Sequence, residues 1–293
     1  MNLLLQLLAN GLVNAAMFAV LAVGFGLVYR SGRVFHVAYG GAFVLAAFLF
    51  HSLVTVAGFG LWSSGAVTIA LGALAGWAME AGFYGPFFRR RTTPGAVMVA
   101  SLGLGIVIEN GLALIYGDEA RTIPSPGLAE SVALGPVRWS MIQLAQLLVC
   151  GVLLTILAGA SRTRLFRVVR AMGENAELLQ VHGWRLARYR ATVFALSGGL
   201  VAVPACLVMV DVGLDVHMGM GYLLLAAVAV LAGGVMRMSG WMLGGLLLAM
   251  LQSIVVWRFS ARWMDLVAFG LLVVILLSRR EGLLGIRKRA EEI

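Results

Sequence analysis

One lysine, Lys288, occurs in 293 residues, beside two cysteines, six prolines and only 12% charged residues. A soluble domain carries about 25% charged residues. Charge this sparse, with 61% hydrophobic residues and a mean hydropathy of +0.96, excludes an ordinary cytosolic globular protein and a disordered chain. The lone lysine excludes a phosphate-binding loop, which reads G-x-x-x-x-G-K-[ST], because Arg289 follows Lys288. ATP that powers this chain would have to be bound by another subunit. Cys150 and Cys206 sit in separate apolar runs and offer neither a disulfide framework nor a metal spacing. No Ser-His-Asp set and no nucleic-acid patch stands up, so no enzyme chemistry, cofactor or nucleic-acid partner is expected.

What is present is apolar runs and glycine. The 37 glycines suit closely packed membrane helices. A crossing needs roughly 20 apolar residues. The first run, residues 1–29, is uncharged and reads as an uncleaved helix. Further runs lie at 37–57, 62–84, 95–116, 140–160, 190–210, 219–236, 240–257 and 262–278. The expected fold is all-α, a polytopic transmembrane bundle of eight to nine spans forming one domain over 1–293. The run 219–236 is short and reaches Gly233–Gly234, so a broken or re-entrant segment is the eight-span alternative.

Arginine clusters fall at Arg30/Arg33, Arg89–Arg91, 162–190 and 279–289. Basic excess marks cytoplasmic loops. Nine crossings then put the N-terminus outside and the C-terminus inside a multi-pass inner-membrane protein, with Arg258 and Arg262 as the exceptions. The stretch 117–139 is the expected outer loop.

The longest polar stretch is 161–190. Leu165, Val168, Val169 and Met172 share a helical face, and a second short helix over Ala176, Leu178 and Leu179 ends at Gly183. It fits a groove on a partner protein or lies on the anionic surface of membrane lipid. Glu109 and Asn110 lie inside an apolar run, where a charge costs about 2.5–3.5 kcal/mol, so they line a translocation path or bond a neighbouring helix. Glu80 is expected to pair with an arginine. Asp211, Asp215 and His217 follow the 190–210 run, as a docking contact or a solvated loop; a metal there has no other support. The G-x-x-x-G pairs Gly72/Gly76 and Gly240/Gly244 imply close helix contact.

Several stretches, in order, resemble the branched-chain amino acid ABC transporter permeases of the LivH type. Residues 170–205, RAMGENAELLQVHGWRLARYRATVFALSGGLVAVPA, are similar to that family's cytoplasmic loop and following helix, through Arg170, Ala171, Ala176, Leu179, Gly183, Phe194, Ala195 and Gly198. Residues 93–126 resemble its S/T-x-G-x-x-I-x-x-(Q/E)-N helix, then a G-(S/D)-x-x-R turn and a Pro, through Ser101, Gly103, Gly105, Ile108, Glu109, Asn110, Gly117, Asp118, Arg121 and Pro124. The family's N-F-A-H-G-E becomes His36-Val37-Ala38-Tyr39-Gly40-Gly41 here.

The resemblance implies a permease subunit moving branched-chain or related small amino acids. Its partners would be a second, LivM-like permease, two ABC ATPase subunits and a periplasmic substrate-binding protein. It implies path residues Glu109, Asn110, Ser101, His36 and Tyr39, and ATPase coupling through Arg170, Glu174, Glu177 and Gly183. Asp211, Asp215 and His217 would meet the binding protein. Related permeases also move urea and short amides. The competing reading is a stand-alone proton- or sodium-coupled carrier acting through Glu109.

Overall fold

The computed structural model describes residues 2–134, 137–278 and 282–284. The basic tail with Lys288 and Arg289 lies outside the described residues. All nine apolar runs are helical. The first, α1 (Asn2–Gly32), meets no charge before Arg30 and runs 31 residues, about 46 Å. Its middle is buried on every side, including Val20, Leu21, Ala22, Val23 and Phe25, as expected of a helix apolar all round. It is the central post of the bundle.

After α1 come α2 (Tyr39–Thr55) and α3 (Leu61–Ala78). A π-helical segment, Met79–Tyr84, joins α3 to α4 (Gly85–Arg89). Next are α5 (Pro94–Tyr116), the short α6 (Pro126–Ala129) and an antiparallel hairpin of β1 (Ser131–Leu134) and β2 (Val137–Ser140). In the hairpin Ser131 faces Ser140 and Leu134 faces Val137. The chain continues with α7 (Met141–Ala160), α8 (Arg164–Glu174), α9 (Ala176–Val181) and α10 (Leu186–Asp211). It closes with α11 (Gly219–Gly233), α12 (Met238–Arg258), a 3-10 turn at Ala261–Trp263 and α13 (Met264–Ser278).

Among the described residues, six helices are long and apolar enough to cross a membrane: Leu3–Gly32, Leu61–Arg89, Pro94–Tyr116, Met141–Ala160, Leu186–Asp211 and Met238–Arg258. The runs 37–57, 219–236 and 262–278 yield helices of 17, 15 and 15 residues. A 15-residue helix is about 22 Å long, short of the roughly 30 Å of hydrocarbon. The two internal short helices have a common cause. Residues 33–38 and 212–218 are largely non-helical, so α2 and α11 begin late. The start of α2 is level with the middle of α5, where the Ala38 amide donates to Ser101 Oγ at 3.0 Å and Gly41 faces Gly105. Its far end meets the end of α5 through Ser52 and Tyr116. The first turns of α2 and α11 cross at Gly40 and Gly219, with the Phe43 and Tyr222 rings stacked 4.2 Å apart. A side chain on either glycine would overlap the other's backbone.

The packing repeats itself. The pair α1–α12 is matched by α10–α3, α1–α11 by α10–α2, and α11–α12 by α2–α3, while α1 and α10 lie against each other. The end of α1 and the start of α10 both lie at the arginine-rich end beside α8 and α9, so the two posts run in opposite directions. The sequence shows no matching repeat, because packing geometry rather than residue identity is duplicated.

The G-x-x-x-G pairs do what their spacing implies. Gly72 and Gly76 of α3 meet Gly198 and the Phe194 carbonyl of α10; Gly240 and Gly244 meet Gly233 and Ala229 of α11. Gly76→Val is expected to lower stability by about 1–3 kcal/mol, because the overlap is with α10 backbone, which cannot rotate away. Gly151→Ala, with open space around it, is the matched control and is expected to be neutral or slightly stabilising in thermal unfolding of the detergent-purified chain.

Candidate functional site

The five path candidates do not gather at one point. His36, Ser101 and Tyr39 lie inside the protein, at 3%, 0% and 1% exposure. His36 Nδ1 lies 2.6 Å from Tyr84 Oη, which lies 2.6 Å from Ser101 Oγ. Ser101 Oγ also accepts the Ala38 amide, so the imidazole, the phenol and the hydroxyl form one continuous hydrogen-bonded chain with Tyr84 at its centre. Tyr39 sits beside His36 and donates to the Leu21 carbonyl at 2.9 Å. These groups anchor the start of α2 to α1, to α5 and to the π-helical segment. The sequence reading missed Tyr84; it belongs to MEAGFYGP, a stretch that shows no polar periodicity. The π segment aims Tyr84 inward while Glu80, also on it, reaches Arg190 of α10 at 3.0 Å. The arginine pairing expected of Glu80 is therefore present, with a partner 110 residues away.

Glu109 and Asn110 stand apart, about 12 Å along α5 from Ser101. Asn110 is exposed and donates to the Ile106 carbonyl, at 2.8 Å. Glu109 borders a crevice of about 20 Å³ with Gly40, Gly41, Gly105 and Met220, at the crossing of α2 and α11. It is part-exposed, at 29%, and not enclosed in the apolar interior. Its Oε1 lies 2.6 Å from His217 Nδ1, and His217 Nε2 lies 3.4 Å from Asp118. The structure thus joins a path candidate to a docking candidate, and adds Asp118. Asp215 accepts the amides of His217 and Met218, at 2.8 and 3.0 Å, and so shapes the turn that presents the imidazole. Asp211 accepts from Gln146 of α7 at 3.0 Å. Among the described residues no group of three His, Cys, Asp or Glu could hold a metal.

At the arginine-rich end, α8 buries Val168, Val169 and Met172 against the bundle, the face its spacing implied. Its C-terminal carbonyls are capped from α1. Arg33 donates to Gly173 O at 3.2 and 2.7 Å and to Glu174 O at 3.2 Å, and Arg30 donates to Arg170 O at 3.4 Å. A cation at a helix C-terminus is favourable. The Glu174 carboxylate adds an ion pair with Arg30 at 3.7 Å. Asn175 caps α9, and Gly183 takes φ +80° just beyond it, a conformation that favours glycine. Glu177 is exposed on the first turn of α9, and beside it Leu178 and Val181 stand 55% and 84% exposed.

Among the described residues, six helices long and apolar enough to cross a membrane, with the shorter α2 and α11 crossing at Gly40 and Gly219, define an all-α multi-pass membrane protein. Residues 7–276 match the model of the branched-chain amino acid transport system permease component family, and the chain belongs to that family. It is 29% identical to the high-affinity branched-chain amino acid transport system permease protein BraD of Pseudomonas aeruginosa, over 99% of this chain and 98% of BraD. It is 25% identical to LivH of Escherichia coli strain K12, over 99% of this chain and 97% of LivH. Among solved structures, PsaBC from Streptococcus pneumoniae in complex with Fab is similar at a TM-score of 0.48 and 14% identity, over 90% of this chain and 89% of that one.

Two outcomes follow from this geometry. Tyr84→Phe strands both His36 and Ser101 and is expected to cost about 1–3 kcal/mol. In a cycle with Ser101→Ala the two losses should fall short of additive in thermal unfolding, since each breaks the same chain. His217 is held above its ordinary value of 6.5, chiefly by the Glu109 hydrogen bond and further by Asp118. The charge-assisted contacts of His217 with Glu109 and Asp118 are therefore fully present below about pH 6.5 and weaken as pH rises through the raised value. Hydrogen exchange of residues 212–218, corrected for intrinsic rate, should show more protection at pH 6 than at pH 8, with no difference in His217→Gln.

Proposed function

We propose that this chain is one of two permease subunits of an ABC importer that carries branched-chain or related small amino acids inward by alternating access. Its partners on this reading are a LivM-like permease, two separate ATPase subunits and a periplasmic binding protein. The observation that carries the reading is the meeting of α2 and α11 at Gly40 and Gly219, beside a helix, α5, that leaves most of its surface uncovered. Helix N-termini meeting within a bundle of membrane helices are where transporters hold small charged solutes. Substrate would pass along the α5 face between the two permeases, touching Glu109 and Asn110. His36, Tyr39 and Ser101 would hold the start of α2 in place. The names of BraD and LivH point to branched-chain amino acids as cargo.

The arginine-rich end is cytoplasmic on this reading, and the hairpin end, with Asp211, Asp215 and His217, receives the binding protein. Counting the shorter helices as membrane segments gives the nine-segment order, N-terminus outside and C-terminus inside. The exposed Leu178 and Val181 of α9 form the knob for an ATPase groove. Arg170 and Glu174 tie that knob to α1, so a push on α9 reaches the central post as a rigid-body motion.

Uptake of labelled leucine by cells lacking the chain, restored by a plasmid copy, tests the cargo. Gly40→Val at normal abundance should abolish the restoration, and Glu174→Arg with Gly183→Arg should cut it at least tenfold while the ATPases no longer co-purify. Leucine uptake that is indifferent to the chain, or that falls only when excess urea competes, would overturn the cargo. Uptake retained by a chain that purifies alone would overturn the importer.

A further inference from the structure

Two clefts lie at the arginine-rich end, and the transport reading uses only Gly183 of their lining. One, of about 530 Å³, lies between the start of α8 and the start of α10 and is lined by Arg164, Arg185, Arg188, Trp184 and Tyr189 among others. The second, of about 620 Å³, shares Trp184, Arg185 and Arg188 and adds Phe88, Arg89 and Arg91 from the end of α4. Among the described residues no acid lines either cleft. Among the described residues no carboxylate lies within salt-bridge distance of Arg89, Arg91, Arg164, Arg185 or Arg188. The acid nearby, Glu80, is engaged by Arg190, whose guanidinium also lies over the Phe88 ring at 4.2 Å.

We propose that the paired clefts around Trp184, Arg185 and Arg188 form a site for the phosphate headgroup of an anionic membrane phospholipid. Cations that serve only to orient a chain need no shared cavity; these five converge on two. Their position fits a lipid. Both clefts sit where helices leave the apolar bundle, and the second opens at the end of α3–α4, whose outer face carries exposed Leu74 and Trp77. The aromatic side chains suit the headgroup level: Trp184 lies beneath the Arg164 guanidinium at 5.1 Å and beside Tyr189 at 5.7 Å. Arginine forks match phosphate oxygens two at a time. The exposed knob on α9, Leu178 and Val181, lines neither cleft, while Gly183, a coupling candidate, lines the first. Each basic residue near an anionic surface raises lipid binding about fivefold. The inference requires only that the chain crosses a membrane, and it stands or falls independently of cargo.

Native mass spectrometry of the detergent-purified full chain, titrated with phosphatidylglycerol or phosphatidylcholine, tests it. Phosphatidylglycerol should bind at least tenfold more tightly than phosphatidylcholine. Arg164→Gln with Arg185→Gln and Arg188→Gln should erase that preference, while Arg138→Gln with Arg258→Gln, the same change at the opposite end, should keep it. Thermal unfolding checks the triple variant; were it unfolded, Arg188→Gln alone should still lose about fivefold. Equal binding of the two lipids by the native chain would overturn the site and return the clefts to an acidic protein surface. A preference that survives the variants would also overturn it. Displacement of phosphatidylglycerol by inorganic phosphate at equal concentration would assign the clefts to free phosphate rather than lipid.

Discussion

Backbone that is not helical cannot face hydrocarbon, because each unpaired N–H or C=O costs several kcal/mol there. This constraint governs the two connectors, 33–38 and 212–218, and much of the remaining structure answers it. In the first connector the Ala38 amide goes to Ser101, and the connector's imidazole is held through Tyr84. In the second, Leu214 pairs backbone-to-backbone with Arg121, at 2.9 and 3.0 Å, and Asp215 takes two amides of the turn. The partners come from α5, the π-helical segment and the loop after α5. Those elements are thereby fixed around the crossing of α2 and α11.

The same constraint explains the glycines. Connectors that dip between spans leave two helices starting face to face, with no room for side chains at Gly40 and Gly219. The outer helices must follow, and α3 meets α10 as α12 meets α11, glycine against backbone. Buried polar groups and glycine contacts thus stabilise one feature from two sides: the first satisfies the irregular backbone, the second lets it be enclosed.

What was legible in the sequence follows from range. Helices are written in runs of neighbouring residues, so all nine were readable, as was the buried stripe of α8 and the G-x-x-x-G contacts. The shortness of α11 was visible in Gly233–Gly234. That of α2 was not, because His36-Val37-Ala38 is as apolar as the helix it precedes, and its turn is held by Ser101, 63 residues on. Pairings across the bundle carried no local mark: Glu80 with Arg190, Glu109 with His217, Arg33 with the end of α8. The start of α7 is by contrast local, closed by a capping box between Ser140 and Gln143. The candidate path residues were split for the same reason. Ser101 and Glu109 share α5, but eight residues of helix turn them toward different surroundings, one enclosed and one facing outward.

The arginines show how one residue type serves several ends at once. As a set they bias orientation, a summed effect that needs no particular geometry. Individually they divide by what lies within reach. Arg30 and Arg33 find carbonyls at the end of α8, and Arg190 finds Glu80; each is thereby part of the fold. Arg164, Arg185 and Arg188 find one another across open space, with aromatic rings and, among the described residues, no acid. Like charges held in a common cavity repel, so an arrangement of this kind is stable only with an anion between them or with abundant water. At the point where spans emerge from a bilayer, the most concentrated anion is the headgroup of the lipid itself, and binding it would relieve the repulsion that the fold leaves in place.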